Sequence, residues 1–294
     1  CFARFGIPWN DASFLSLHGR SFNDLSTVLH KDKIFILTDR ENSPQKIARH
    51  LIDILPPAEI YVYTLHVGVK LGTREEQIFS GSLPEVSGKI FDQPNAIILQ
   101  RIADERKQSS NFGLQETEIK HSRGLITKNE VRAAVIHALR LPAKGVFWDI
   151  GAGSGSISIE ASLLNPALSV FAIEKKQDEI DNVNYNRACF KCWNVSVCQG
   201  EAPEILETLP IPDCVFIGGS GGSLADIIKY VTDKDLGVNR IVLTGVIKNT
   251  VEAAPKLLYQ AGYTVDASVV STTRYTFPES QSVQLNPIHI IRAV

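Results

Sequence analysis

The chain has 294 residues, 44% of them apolar and 21% charged, ordinary values for a soluble globular protein long enough for about two cored domains. Thirty Lys and Arg against 32 Asp and Glu leave a net charge of −2, so no electrostatic footprint for nucleic acid appears. No apolar run nears the roughly 20 residues that span a bilayer, and no signal peptide opens the chain. Its five cysteines, odd in number and unevenly spread, suit a reducing cytoplasm better than a disulfide framework. The chain starts at Cys1 inside what reads as a helix and contains no methionine. That is expected of a segment of a longer protein, or of a sequence whose methionines are missing.

In chain order, KIFILTD (33–39) reads as a buried strand. SPQKIARHLIDIL follows as a helix with Ser43 as N-cap and Pro44 in the first turn. EIYVYTLH is a second strand, GTREEQI starts a helical turn, and NAIILQR (95–101) is a third strand. His18 and His66 follow apolar runs and suit either a cleft wall or a core position. Residues 104–122, polar throughout, read as a linker. TKNEVRAAVIHALRL is an amphipathic helix, with Thr127 as N-cap and Glu130 three residues on in a capping-box pattern. Strands are expected at 145–150, 169–174, 195–198, 213–217 and 240–244, with helices between most of them. This is the rhythm of a parallel, doubly wound sheet. Two late β-rich runs, near 263–273 and 283–292, have no helix between them and suggest a hairpin adding an antiparallel edge strand.

The chemistry-bearing stretch is VFWDIGAGSGSISIEAS. The dinucleotide fingerprint G-x-G-x-x-G would need glycine at position 156, where Ser156 stands. The pattern is D-x-G-x-G-x-G, which suits close backbone approach to S-adenosyl-L-methionine, a nucleoside carrying an amino acid and a sulfonium but no phosphate. Asp149 is placed to meet the amino group, directly or through water. Gly151, Ala152, Gly153, Ser154 and Gly155 form the turn. Glu174 ends the next strand and can accept both ribose hydroxyls. Glu201 and the Ala202 backbone, after the third strand, fall near the adenine edge. The fourth strand runs into IGGSGGSL, which lacks the Asp/Asn-Pro-Pro-aromatic clamp of many amino-group methyltransferases. Gly219, Ser220, Gly221 and Gly222 instead leave room for a bulky acceptor and offer backbone N–H groups to carboxylates. Cys189 and Cys192 form a C-x-x-C with no further ligand at zinc spacing, so buried or half-buried thiols are expected and no metal.

RGLITKNEVRAAVIHALRL, WDIGAGSGSISIEAS, EAPEILETLPIPDCVFIGGSGGSL and LNPIHII together resemble the precorrin-6Y C(5,15)-methyltransferase (decarboxylating) family of cobalamin biosynthesis. The likeness is to its carbon-15 methylating, decarboxylating domain, CbiT, over residues 123–294. VLHKDKIFILTDRENSPQKIARHLI, SLHGR and LGTREEQIFSGSLPEV are similar to the C-terminal portion of the partner domain, CbiE, of tetrapyrrole methylase type, over residues 1–103. The family's glycine-rich opening subdomain would precede Cys1, so carbon-5 methylation is not expected of this chain alone.

The resemblance implies a C-terminal Rossmann-like class I methyltransferase fold preceded by a truncated tetrapyrrole-methylase α/β domain. It implies methyl transfer from S-adenosyl-L-methionine to a tetrapyrrole, precorrin-6Y or its cobalt analogue, with loss of carbon dioxide from a ring acetate. It adds Thr127 to the cofactor-binding candidates, and it requires no strong base, because the substrate carbon is already nucleophilic. A cytoplasmic homo-oligomer without nucleic-acid or membrane partners is expected. An RNA or small-molecule methyltransferase of the same fold, a nicotinamide oxidoreductase, and a first domain serving only assembly stay open as alternatives.

Overall fold

Strand-forming runs rich in Ile, Phe, Val and Tyr organise the first hundred residues into a five-stranded sheet of order β1-β2-β5-β3-β4. The computed structural model describes residues 1–19, 25, 29, 31–55, 59–102, 112–122, 124–233, 235–278 and 281–294. It divides into two compact units, Cys1–Gln108 and Ser109–Val294. In the first unit, β1 (Ser13–Ser16) pairs parallel with β2 (Lys33–Leu37). A short helix α1 (Phe2–Phe5) precedes them. The helix α2 (Pro44–Ile54) starts at the expected Ser43–Pro44 boundary and buries Pro44, Ile47, Ala48 and Leu51, one face of a 3.6-residue period. The Ser43 hydroxyl makes no cap hydrogen bond.

The expected strand at EIYVYTLH begins as a 3-10 turn, Ile60–Val62, and pairs only from Tyr63, as β3 (Tyr63–Val69). The helical turn expected at GTREEQI is a reversal: Lys70 and Gly72 take positive φ of 46° and 81°. The chain returns as β4 (Gln77–Ser82), antiparallel to β3. The helix α3 (Leu83–Ser87) and β5 (Asn95–Arg101) follow, and β5 inserts between β2 and β3. His66 is half-buried, with Nδ1 2.7 Å from Ser80 Oγ, and burial holds its pKa below the usual value. His18 is exposed.

The second unit is a seven-stranded sheet of order β11-β14-β10-β9-β6-β7-β8. Its elements alternate as anticipated: α4 (Asn129–Leu139), β6 (Gly145–Ile150), α5 (Ser156–Leu164), β7 (Leu168–Glu174), α6 (Gln177–Cys189), β8 (Val195–Gln199), β9 (Cys214–Ile217), α7 (Leu224–Val231), β10 (Arg240–Gly245), α8 (Lys248–Gln260), β11 (Val265–Val270) and β14 (Ile288–Ala293). The strands from β6 to β10 pair parallel. Each central strand is apolar on both sides: Phe147 packs into the core on one face and Trp148 into the core on the other, as a sheet covered by helices on both faces demands.

The two late runs do pair antiparallel, but the antiparallel strand β14 stands one place in from the edge, and β11 is the edge. The burial explains the order, since β11 is half-buried or exposed along its whole length whereas β14 buries Ile290 and Ile291. A two-stranded ribbon, β12 (Thr273–Thr276) and β13 (Gln281–Gln284), projects between them.

The expected linker 104–122 is packed structure over its described part, 112–122. Leu114 and Ile119 are buried in the core of the second unit. The backbone N–H groups of Gly113 and Leu114 donate to Glu160 Oε1 at 3.2 and 2.8 Å. Polarity misled there because the polar residues cluster on the solvent side of two buried anchors. Residues 103–111 lie outside the described residues.

All five cysteines are free. Cys192 is buried, and burial pushes its thiol up to about 12, so a structural thiol fits and a reactive one does not.

Candidate active site

Strand order reverses between β6 and β9, and in open α/β sheets ligands bind outside the carboxyl ends of the strands at such a switch point. A cleft of about 820 Å³ opens there. A smaller lobe of about 180 Å³ adjoins it, and Gly151, Gly219, Ser220 and Gly221 line both.

The glycine turn builds the shared wall. Gly151 has φ of +70°, and a Cβ there would sit 2.4 Å from Gly219 O and 2.7 Å from Gly219 N. Only glycine allows the turn after β6 and the loop after β9 to touch. The amides of this turn are satisfied within the protein: Gly151 N and Ala152 N donate to Ile173 O, and Gly155 N donates to Ala152 O. Gly153 N donates to Glu174 Oε2 at 3.0 Å. These four N–H groups do not form a phosphate cradle, in contrast to a pyrophosphate-binding turn.

Asp149 does not line either lobe. Side chains alternate along a strand, so it shares the face of Phe147, beneath α5. There its Oδ2 accepts from Ser158 N at 3.1 Å and Ser158 Oγ at 2.6 Å. Its Oδ1 is buried without a partner. Burial pushes the Asp149 carboxyl up to about 6, with the Glu174 charge adding to the rise and the Ser158 hydrogen bonds opposing it.

Glu174, Glu201 and Ala202 line the smaller lobe together. Glu174 closes its own strand end: Oε1 accepts from Lys175 N at 2.9 Å and Lys176 N at 3.0 Å. With the Gly153 contact, three of roughly four acceptor positions are taken, and the carboxylate is locked in orientation. Glu201 pairs with Lys175 Nζ at 2.6 Å, beside Gly221, whose φ is +60°.

Thr127, Ala152, Gly153 and Ser154 line the larger lobe, as do Gly219 to Gly222. Gly155 is set back, with Val183 about 3.0 Å from where its Cβ would be. The capping box expected of Thr127 and Glu130 does not form. The helix starts at Asn129 after Lys128 as N-cap, with no side-chain cap bond. Arg274 of β12 takes Glu130 instead, through Nε at 2.9 Å and NH2 at 2.8 Å. A bidentate guanidinium pair outweighs a neutral amide contact. Thr127 O accepts from the buried Arg132 at 2.9 Å.

Residues 118–274, more than half of the chain, match the precorrin methyltransferase domain family. The chain belongs to that family. It is 33% identical over 248 residues to "Precorrin-6Y C(5,15)-methyltransferase [decarboxylating]" of Sinorhizobium sp, covering 83% of this chain and 58% of that one. This chain thus spans less than two thirds of that relative's length. A "Cobalt-precorrin-6B C(15)-methyltransferase (decarboxylating)" of Salmonella typhi is 36% identical over 137 residues, 47% of this chain and 70% of that one. A crystal structure of precorrin-6Y C5,15-methyltransferase from Geobacter metallireducens superposes with a TM-score of 0.61 at 39% identity, covering 64% of this chain and 99% of that chain.

The residues that motif reading does not find are further ones that line the larger lobe. Thr244 and Gly245 end β10 and Val246 and Ile247 follow it, while Thr272, Leu285 and Asn286 flank the ribbon. A strand end at Gly245 was a weak signal for the first group, and the ribbon carried none. Among the described residues, no group of three or more His, Cys, Asp or Glu could hold a metal ion, and no helix is long and apolar enough to cross a membrane.

Proposed function

We propose that residues 109–294 transfer a methyl group from S-adenosyl-L-methionine to carbon 15 of a precorrin-6-type tetrapyrrole and release carbon dioxide from a ring acetate, in cobalamin biosynthesis. Residues 1–103 are assigned to the tetrapyrrole methylase type. The observation that carries this reading is the two-lobed cleft at the switch point. Its shared wall is Gly151, Gly219, Ser220 and Gly221, and its smaller lobe holds Glu174, Glu201 and Ala202.

The donor fits the residues present. When bound it supplies an electrophilic methyl on sulfonium. The smaller lobe, ending three successive strands, suits the nucleoside. Asp149 lines neither lobe, so its orphaned Oδ1 under the turn suits the positive end of an amino acid only through a bridging water. The larger lobe suits the acceptor: among the described residues lining it there is no His, Asp or Glu. A reduced tetrapyrrole brings its own nucleophilic carbon, so the chain has only to align it with the methyl and keep water away. In the decarboxylation the C–CO2 bond breaks, its electron pair passes into the conjugated macrocycle, and carbon dioxide departs. Holding the acetate in a partly dry lobe favours this step.

Incubation with the precorrin-6 substrate and labelled S-adenosylmethionine, followed by mass spectrometry, tests the reading. The expected product gains one labelled methyl and loses one carbon dioxide. Label in RNA, or none in tetrapyrrole, would overturn it.

Two further results are expected. Cofactor affinity should stay flat above pH 7 and fall as pH drops through about 6, where Asp149 takes a proton and loses the charge that draws the amino group. The fall levels off once Asp149 is protonated, after a loss of about tenfold, and Asp149→Asn should abolish the dependence in calorimetry between pH 5 and 8. Unfolding does not mimic it. A carboxyl raised from 3.8 contributes stability that is complete below 3.8 and lost as pH rises through about 6, so acidification strengthens this term. Gly221→Val should reduce cofactor affinity and turnover together, because residue 221 borders both lobes and a Cβ there meets Lys175 Nζ at 3.0 Å and Glu201 Oε1 at 3.2 Å. A paired titration and rate measurement on the same folded variant checks this.

A further inference from the structure

The larger lobe has one charged side chain among the described residues that line it, Lys128. Its remaining polar lining is hydroxyl, amide and backbone. A polycarboxylate acceptor entering such a lobe has one cation to meet.

In the structure that cation is lent elsewhere. Lys128 Nζ lies 2.8 Å from Glu116 Oε2. Glu116 has a second cation: Arg274 NH2 lies 2.5 Å from its Oε1. The same guanidinium holds Glu130. Burial raises the Glu116 carboxyl, but the bonds from Lys128 and Arg274 outweigh this and leave it below the ordinary range. Glu116 is therefore ionised, and it stays paired if Lys128 leaves. A guanidinium presents five N–H donors in a fork and can serve two carboxylates, whereas the lysine ammonium rides on a flexible four-carbon stem. The side-chain exposures agree with the division of roles: 35% for Lys128 against 17% for Glu116. Lys128 also sits at the N-terminus of the eleven-residue α4 with no side-chain cap, where the helix end adds positive potential.

We propose that Lys128 is the carboxylate anchor of the larger lobe, exchanging Glu116 for an acetate or propionate of the substrate while Arg274 keeps Glu116 neutralised. The assignment rests on the tetrapyrrole reading above and makes Lys128 a specificity residue for acids over esters or amides. A lysine serving only to staple the 112–122 segment would be redundant beside Arg274.

The two readings predict opposite behaviour. With Lys128→Met, the tetrapyrrole KM should rise about 10- to 100-fold, the loss of one charge-assisted bond. Affinity for S-adenosylhomocysteine and kcat should stay within about twofold, and Lys128→Arg should recover most of the loss. Glu116→Gln frees the ammonium, so KM should fall or hold. If Lys128→Met and Glu116→Gln raise KM alike, or Lys128→Met leaves it unchanged, the anchor is overturned. A readout independent of methyl transfer is fluorescence titration with an octacarboxylate porphyrin and its octamethyl ester. The wild type should prefer the acid, and Lys128→Met should lose that preference. Preference kept by Lys128→Met overturns the anchor. Preference lost by Lys128→Met in a protein whose wild type transfers no methyl supports the anchor and overturns the functional reading.

Discussion

Gly151→Ala is expected to lower cofactor affinity at least about 100-fold, equivalent to about 2.7 kcal/mol. The added Cβ would lie 2.4 Å from Gly219 O and 2.8 Å from Gly219 Cα. Those are backbone atoms, so relief requires moving either the turn after β6 or the loop after β9, and both line the two lobes. The φ of +70° adds about 1–2 kcal/mol for any L side chain. Gly153→Ala is the control. Its φ is +54°, with nothing within 4 Å of the Cβ, so it should carry the conformational cost alone and change affinity only a few-fold. Calorimetry on both variants, with thermal melts to confirm folding, decides the matter. Equal effects would mean that conformation, and not the contact between turn and loop, sets the site.

The second large effect belongs to Glu174. Its carboxylate, which lines the smaller lobe, is fixed by the backbone N–H groups of Gly153, Lys175 and Lys176, and one acceptor position remains for a ribose hydroxyl without rearrangement. Bonds to charged groups are worth about 1.5–3 kcal/mol each. Glu174→Ala should therefore weaken S-adenosylhomocysteine binding about 10- to 100-fold or more. A loosened glycine turn could produce a similar loss, so a two-way comparison separates the causes. The 2′-deoxy analogue should bind more weakly than the parent to the wild type, and equally with the parent to Glu174→Ala. If both proteins lose the same amount on the deoxy analogue, Glu174 acts on the turn and not on the ribose.

Much of the fold could be read from local pattern. The apolar run of β6, the glycines after it and the helical spacing of α5 are neighbours in sequence, and their geometry follows from short-range sterics. The same holds for Glu174 and for the turn carrying Glu201 and Ala202, each at the end of a strand whose type was evident. Capping was less legible. Thr127 and Glu130 carry a valid local signal, but Arg274 lies 144 residues further on, and its guanidinium claims Glu130. Likewise, 112–122 reads as a linker because only Leu114 and Ile119 of that stretch enter the core.

By itself the sequence determined the alternation of strands and helices in the second unit, the glycine turn, and the family's motifs, because these depend on residues a few positions apart. Tertiary structure alone decided that Asp149 faces Ser158 and not the cleft, since one step in strand phase moves a side chain to the other face. It alone placed β14 inside β11, by which strand could bury both its faces. And it alone brought Lys128, Glu116, Glu130 and Arg274 into one charge cluster at the cleft rim, because ion pairing across three separate segments leaves no period, motif or spacing along the chain.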